Sequence, residues 1–390
     1  MAKASFSASI KKYAMSIVLV LVIAFFFWRT SGAILLPQNV NNLLSQNAYV
    51  FVLAVGMLLC ILTGGNIDLA VGSVVCFVGA IGGVLLDKKV NFIVAVVVML
   101  AVGALVGIWQ GFWISFVNVP PFIATLAGMY AFRGLSNVVL SGQALNLSKM
   151  EAFLNSFGGG ATCYIPDFFR FEKLNLTCLL VGIVGVLVYV ILTIRGRVDS
   201  KKRGYETAPL LGEVIKMVII SAVVIYVTLK LSLYQGIPTS LIWVLIVVFV
   251  FGYVTQKTRI GRYLYAVGGN KKAAQLSGVN VKKVYFFAYS FMGLLSGLAG
   301  ILTIARAASA QPTYGQGYEM DAIGACFIGG ASAYGGIGTV PGVIIGALLM
   351  GVINQGMSIM GINANYQKIV KGVVLLAAIV FDVLSKKEKK

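Results

Sequence analysis

Residues 45–86 read SQNAYVFVLAVGMLLCILTGGNIDLAVGSVVCFVGAIGGVLL. Two apolar runs, 45–63 and 68–86, are parted by Gly64-Gly65-Asn66-Ile67-Asp68. Each run is close to the roughly 20 residues a helix needs to cross a hydrocarbon layer of about 30 Å. The glycine pair ends the first helix, because glycine readily takes the backbone conformations a helix cannot. An oxygen of Asn66 or Asp68 is expected to cap the second helix by accepting from its free N–H groups. Asp68 also suits the positive end of that helix. A charge at membrane depth costs about 2.5–3.5 kcal/mol on insertion scales, so it persists only if capped, paired or in water. Two compatible readings stand: a cap that stabilises a helix break, and the lining of a polar pathway.

The pattern repeats along the chain. Of 390 residues, 59% are hydrophobic and only 11% charged, and the mean hydropathy is +0.93. Soluble domains carry about 25% charged residues, so this chain could not solvate a surface in water. Apolar runs lie near 13–28, 45–63, 68–86, 91–114, 121–140, 174–194, 214–233, 239–255, 284–306, 320–334, 337–357 and 367–384. The expected fold is all-α: a polytopic membrane protein of about twelve transmembrane helices, some short or broken, forming one domain over 1–390. The first run follows the basic segment Met1–Lys12, as in a secretory signal. No small-residue cleavage site follows it, so it reads as a retained span.

The net charge of +19 is not a nucleic-acid signal. Lys and Arg fall in the short polar breaks, the pattern that keeps basic loops in the cytoplasm. With Met1–Lys12 inside, the loops Arg195–Lys216 and Gln256–Lys283 and the tail Ser385–Lys390 also fall inside. These segments hold twenty of the thirty-one basic residues. Both termini are therefore expected in the cytoplasm, with Ser141–Lys173 as an outer loop. The exceptions are Lys88 and Lys89, which fall outside beside Asp87. Arg133, Arg306, Lys368 and Lys371 lie near span ends and are expected to snorkel to the interface.

Forty-five glycines are present. Pairs at helix spacing, Gly79/Gly83, Gly103/Gly107, Gly293/Gly297 and Gly342/Gly346, predict close helix packing. Cys60, Cys76, Cys163, Cys178 and Cys326 form no C-x-x-C pair and read as isolated small apolar residues. Histidine is absent, which excludes His-based acid–base catalysis and His-ligated metals. Gly-Lys never occurs, so there is no phosphate loop of the G-x-x-x-x-G-K-[ST] kind. No G-x-S-x-G elbow or H-E-x-x-H pair exists either.

Two further segments depart from plain apolar helix. Glu319-Met320-Asp321 precedes a small-residue run ending at Gly329-Gly330, with the outline of the first break: acid, small-residue helix, glycines. Broken helices in corresponding positions mark transporters built from internal repeats, here an inverted repeat. The loop 256–283 holds Gly268-Gly269-Asn270, then Lys271–Ser277, then Gly278. Asn270 suits an N-cap and Gly278 the C′ position, which specifies a helix of about two turns. Ala273 and Leu276 would share a face. So short a helix gains little alone. It either docks into another protein or serves only as a topogenic loop.

These residues resemble a known family. Gly65-Asn-Ile-Asp68-Leu-Ala-Val-Gly72-Ser73 is similar to the G-x-I-D-L-S-V-G-S motif of ribose/xylose-type ABC importer permeases, relatives of the branched-chain amino acid permeases. Pro121-Phe-Ile-Ala-Thr125-Leu and Phe132-Arg133-Gly134 resemble the family's next motif. Thr258-Arg-Ile-Gly-Arg262-Tyr, Ala266-Val-Gly-Gly-Asn270 and Ala273-Ala274-Gln-Leu276-Ser277-Gly278-Val-Asn280 resemble its cytoplasmic signature. Ser309-Ala-Gln-Pro312, Gly317-Tyr-Glu319-Met-Asp321, Gly329-Gly-Ala-Ser332 and Gly335-Gly336 follow, then Tyr366-Gln367 and Val370-Lys371. The matches keep one order over about 40–385. Ala70 stands where the family usually has Ser. Residues 170–235 look like a two-span insertion, as in the longer xylose or multiple-monosaccharide branch.

The resemblance implies a permease for a monosaccharide of the xylose, galactose or glucose type in the bacterial cytoplasmic membrane. It implies a second permease copy, a cytoplasmic ABC ATPase that holds ATP and Mg, and an extracytoplasmic sugar-binding protein. It implies no cofactor, metal or catalytic residue in this chain. Gly268, Gly269, Asn270, Ala273, Ala274, Leu276, Ser277 and Gly278 would couple to the ATPase. Asn66, Asp68, Thr125, Glu319 and Asp321 would line the pathway or its gates. The rival classes are a self-powered secondary carrier of a small polar solute and a lipid-modifying membrane enzyme. No span carries the chain of acids a proton relay needs, and no interface carries a catalytic polar cluster.

Overall fold

The computed structural model describes residues 2–160, 162–169, 174–205 and 209–387, with side chains from Met15 to Val380 within those ranges and at Asp382 and Val383. The side chains of the basic N-terminus and of the tail Ser385–Lys390, and the end of the expected outer loop at Lys173, lie outside the described residues. In chain order the elements are α1 (Ala2–Arg29), α2 (Pro37–Gln46), α3 (Ala48–Leu62), α4 (Val71–Asp87), α5 (Phe92–Ser115), α6 (Pro121–Leu140) and β1 (Leu145–Asn146). Then come α7 (Glu151–Phe157), α8 (Leu176–Lys202), α9 (Leu210–Ser232), α10 (Thr239–Lys257), α11 (Arg259–Gly269) and α12 (Lys271–Leu276). The chain ends with α13 (Val281–Ala307), β2 (Ser309–Ala310), α14 (Tyr318–Ile328), α15 (Val340–Ile359) and α16 (Ala364–Lys387).

Each of the twelve apolar runs holds a helix, and the fold is an all-α polytopic membrane architecture. Among the described residues, seven helices are long and apolar enough to cross a membrane alone, and the bent pair α2–α3 is either an eighth, broken span or a re-entrant loop. The others correct the expected lengths. α14 stops at Ile328, so 329–334 is not helix, and its 11 residues span only about 16 Å. α4 starts at Val71 rather than 68, and α1 begins well before residue 13.

The chain divides into two compact units. The larger holds residues 1–34, 43–163 and 240–390. At its centre lies α3, in which every residue but Tyr49 is buried. A helix apolar all round has no face to offer water, so it must be enclosed by other helices. α13, α14 and α15 enclose it, and α11 packs at its end. α5 crosses α13 at glycines: a Cβ on Gly103 would lie 2.7 Å from Gly293 O and 2.8 Å from Gly297 Cα. With no Cβ on either side, the two backbones meet directly and gain dispersion contacts along the crossing. Gly342 and Gly346 do the same against the last turn of α14, and Gly79 packs against Ile304. β1 pairs antiparallel with β2, Leu145 opposite Ala310.

The smaller unit holds residues 35–42 and 164–239. Its centre is the hairpin of α8 and α9, where Gly182 meets the Thr228 side chain and Arg197 pairs with Glu213. Asn175 caps α8, its Oδ1 accepting from Cys178 N at 2.8 Å. In α9 only Leu231 and Ser232 are buried, which leaves its apolar surface turned outward.

Candidate functional site: two helix breaks and a short capped helix

The first break runs from Thr63 to Ala70. Gly64 and Gly65 take φ of +132° and +75°, values open to glycine and costly for other residues. Thr63 Oγ1 donates to Cys60 O at 2.7 Å, and Asn66 Nδ2 donates to Thr63 Oγ1 at 3.1 Å. Neither expected residue caps α4: the N-cap is Ala70, with no side-chain bond. Asp68 instead accepts from Ala70 N at 2.8 Å, an Asx-type turn that leads the chain into α4. The carboxylate is 1% exposed and lies one turn below the positive end of α4.

The second discontinuity is longer. After β2, residues 310–315 run down α4. Gly83 contacts Ala310, Cys76 Sγ reaches Pro312 O at 3.3 Å, and Gly72 contacts Gly315 O. The segment turns on the way, Tyr314 N donating to Gln311 O at 3.2 Å. Arg133, on α6, holds this turn segment: Nη1 donates to Tyr314 O at 2.6 Å and to Pro312 O at 3.2 Å. Arg133 is therefore a backbone clamp, not the snorkelling residue expected. Thr125, on the same helix, is buried and donates to its own Pro121 O at 2.9 Å.

α14 then runs parallel to α3. Tyr49 OH donates to Asp321 Oδ2 at 2.8 Å, and Cys326 Sγ donates to Ala54 O at 3.2 Å. Since α4 returns from the end of α3, α4 and α14 point in opposite directions with their N-termini together. Glu319 sits at that junction: a Cβ on Gly72 would lie 2.7 Å from its Oε2. Two positive helix ends thus face one another with Asp68, Glu319 and Asp321 in or beside their first turns.

Asp321 is 1% exposed, and Lys371 Nζ of α16 lies 2.8 Å from its Oδ1. Lys371 does not snorkel, because it neutralises a carboxylate that would otherwise be costly to bury. Tyr49 also stacks on Tyr318 at 3.7 Å between centroids. Sequence reasoning missed Lys371, Tyr49 and Arg133 as partners. Each of these partnerships depends on which helices become neighbours, which no local pattern records.

The second break continues after α14 as the unwound segment 329–339, and it meets the first break beyond α3. A Cβ on Gly65 would collide with Ala333 O, and one on Gly335 with Gly64 Cα. Gly336 N donates to Leu62 O at 3.1 Å, and Ala333 N to Asp382 Oδ2 at 3.2 Å. The capped helix joins here as well. Gly268 and Gly269 belong to the end of α11, a helix the sequence reading did not anticipate, and Gly268 abuts Leu62 O and Gly336 N. Tyr265 OH donates to Gly338 O at 2.7 Å, and burial raises its pKa, so it remains a donor.

α12 spans Lys271–Leu276. Asn270 Oδ1 accepts from Ala273 N at 3.0 Å, and Gly278 takes φ +83°. Both match the cap and stop expected. Ala274 faces inward, Ala273 and Ser277 are exposed, and Leu276 is 90% exposed. Beside it a cavity of about 670 Å³ is lined by Asn66, Asn118, Lys271, Gln275, Asn280 and Tyr285. It offers amides and cations and no carboxylate among the described lining residues.

The likenesses to known proteins cover almost the whole chain. The xylose transport system permease protein XylH of Escherichia coli (strain K12) is 33% identical over 383 residues, 98% of this chain and 94% of that protein. XylH of Haemophilus influenzae is 35% identical over 385 residues, 98% of each. The ribose import permease protein RbsC of Escherichia coli (strain K12) is 36% identical over 346 residues, 88% of this chain and 85% of that protein. No solved structure matches the chain. A family model described as "Branched-chain amino acid transport system / permease component" matches residues 39–379. The chain belongs to that family of transport permease components, and the paired helix breaks, the clamped segment and the exposed short helix lie inside the matched region.

Proposed function

We propose that this chain is the membrane-spanning subunit of an ATP-binding-cassette importer for a monosaccharide of the xylose, galactose or glucose type. The importer reading and the sugar class rest on the xylose and ribose permeases it resembles. The observation that carries the mechanism is Leu276, 90% exposed on a capped helix whose root packs against both breaks. A single exposed leucine is ordinary on a surface; this one stands on a short capped helix within a basic loop, and so short a helix gains little unless something docks on it.

In this reading two copies sit in the bacterial cytoplasmic membrane with both termini inside. The basic loops then place α12 on the cytoplasmic side, where it docks in a cleft of the ATPase. An extracytoplasmic binding protein delivers the sugar to the opposite side. ATP and Mg reside on the ATPase and supply the energy of its closure. Closure moves α12, and Gly268 at the end of α11, packed on Leu62 and Gly336, passes the motion to both breaks. The head-to-head ends of α4 and α14 then shift, so the pathway opens to one side at a time.

The test is reconstitution. With its cognate ATPase and binding protein, the permease should take up D-xylose or a related hexose only with ATP present. Proteoliposomes holding the chain alone should accumulate nothing on a proton or sodium gradient. Accumulation by the chain alone would establish a secondary carrier and overturn the reading.

A further inference from the structure

We propose that the cavity between the first turns of α3 and α14 and the last turns of α13 is a transit site for one neutral monosaccharide. The proposal deepens the importer reading and rests on it. In that orientation the cavity lies on the outer side, where the binding protein would release its cargo.

The volume is about 190 Å³. That is the share of roughly six waters at about 30 Å³ each. A pentose or hexose, with roughly ten to twelve non-hydrogen atoms, fits that scale and a disaccharide does not.

The walls have the two characters a sugar requires. Tyr49 and Tyr318 line the cavity as a stacked pair with 16° between their planes, and the ring surface left outside the stack is the apolar wall offered to the C–H face of a pyranose. Gln46, Ser45, Arg306 and Tyr314 supply polar atoms around it. Tyr314 OH is fixed by Ser309 Oγ at 2.6 Å. Gln46 both donates and accepts, as vicinal hydroxyls do. No carboxylate is among the described lining residues. An amino acid would leave its ammonium without a counter-ion there, so the lining favours an uncharged polyol over the cargo that the family's description names.

The floor ties the site to the helix ends. Tyr49 OH donates to Asp321, which Lys371 neutralises. Tyr318 opens α14, whose first turn meets α4 at Gly72. An occupant therefore rests directly above the junction that must shift for passage. The sugar is neutral, so the site offers it hydrogen bonds and no ion pair, with Arg306 the one charged donor among the described lining residues; binding at millimolar strength follows, which suits hand-off rather than capture.

The five native cysteines are buried, so a single introduced thiol can be read against a quiet background. The experiment uses the Gln46→Cys permease in its complex with ATPase and binding-protein partner, in vesicles, with an impermeant maleimide outside. The expected result is labelling that D-xylose slows about threefold at twice its Kd, with no protection by sucrose or leucine. Saturation-transfer NMR of D-xylose on the wild-type complex without binding protein should show contact, and Tyr318→Ala should remove it. Absence of both protection and contact, in a complex that transports D-xylose, overturns the site. So does protection by leucine in place of D-xylose. A complex that transports no sugar refutes the importer reading itself, before any label is added, and takes this site with it.

Discussion

Lys371 and Asp321 bind each other across fifty residues of sequence, Nζ 2.8 Å from Oδ1, and so fasten the C-terminal helix to the short helix of the second break. Removing one partner leaves a buried charge alone, which costs about 3–5 kcal/mol, and replacing both with apolar groups is often neutral. Lys371→Met or Asp321→Asn alone should therefore lower the Tm in detergent by about 5 °C or more. The double variant should recover most of that loss. A thermal-shift measurement on the four proteins reads the cycle, and equal losses for single and double variants would remove the pair from the account.

The α5–α13 crossing has no room for a methyl group. Gly293→Ala would drive a Cβ into Gly103 and Gly107 and should cost about 1–3 kcal/mol as overpacking. Gly252→Ala, in the interior of α10 with nothing within 4 Å, should gain about 0.5–1 kcal/mol from reduced backbone entropy. Opposite Tm shifts for the same substitution type would isolate the packing effect.

Leu276 touches little of its own chain, so Leu276→Asp should leave yield unchanged and stability within about 0.5 kcal/mol of the parent. It should abolish co-purification with the ATPase. Asn270→Ala removes the cap and should cost about 1 kcal/mol locally, weakening that association without ending it. Full assembly with Leu276→Asp would show that α12 is not the docking point.

Arg133 holds two carbonyls from one guanidinium nitrogen. Lys carries a compact charge on a flexible stem, and Ala carries none. Hydrogen exchange across 309–317 should accelerate in the order Arg, Lys, Ala, with helix signals elsewhere unchanged. Uniform protection in all three proteins would show that the segment holds itself in place.

Hydropathy made the helices legible because a 20-residue apolar run has few other ways to satisfy its backbone in lipid. The run 320–334 misled because Gly329 through Gly338 is apolar in composition yet unwound. Four of its glycines take positive φ, which no hydropathy window detects. The cap of α12 was readable since Asn270 and Gly278 act within one turn. Asp68 was harder, because its oxygen accepts from Ala70 N, the residue before α4 begins, and the sequence does not mark where that helix starts. Glycine spacing announced the α5–α13 crossing, as small residues leave a local trace. Lys371 with Asp321 and Arg133 with Tyr314 left none, since each pairing depends on which spans become neighbours.

At Gly65 with Ala333, Gly336 with Leu62, and Gly268 with both Leu62 and Gly336, main chain bears on main chain with no side chain between. Side chains are the springs of a protein interior: they change rotamer and absorb small displacements. A joint made without them has little compliance. A push of an ångström at the root of α12 should reach both breaks nearly undiminished, as through a rigid linkage. Inserting a methyl group at such a joint shifts the rest position of the linkage, so Gly268→Ala should bias the protein toward one of its states more than it unfolds it.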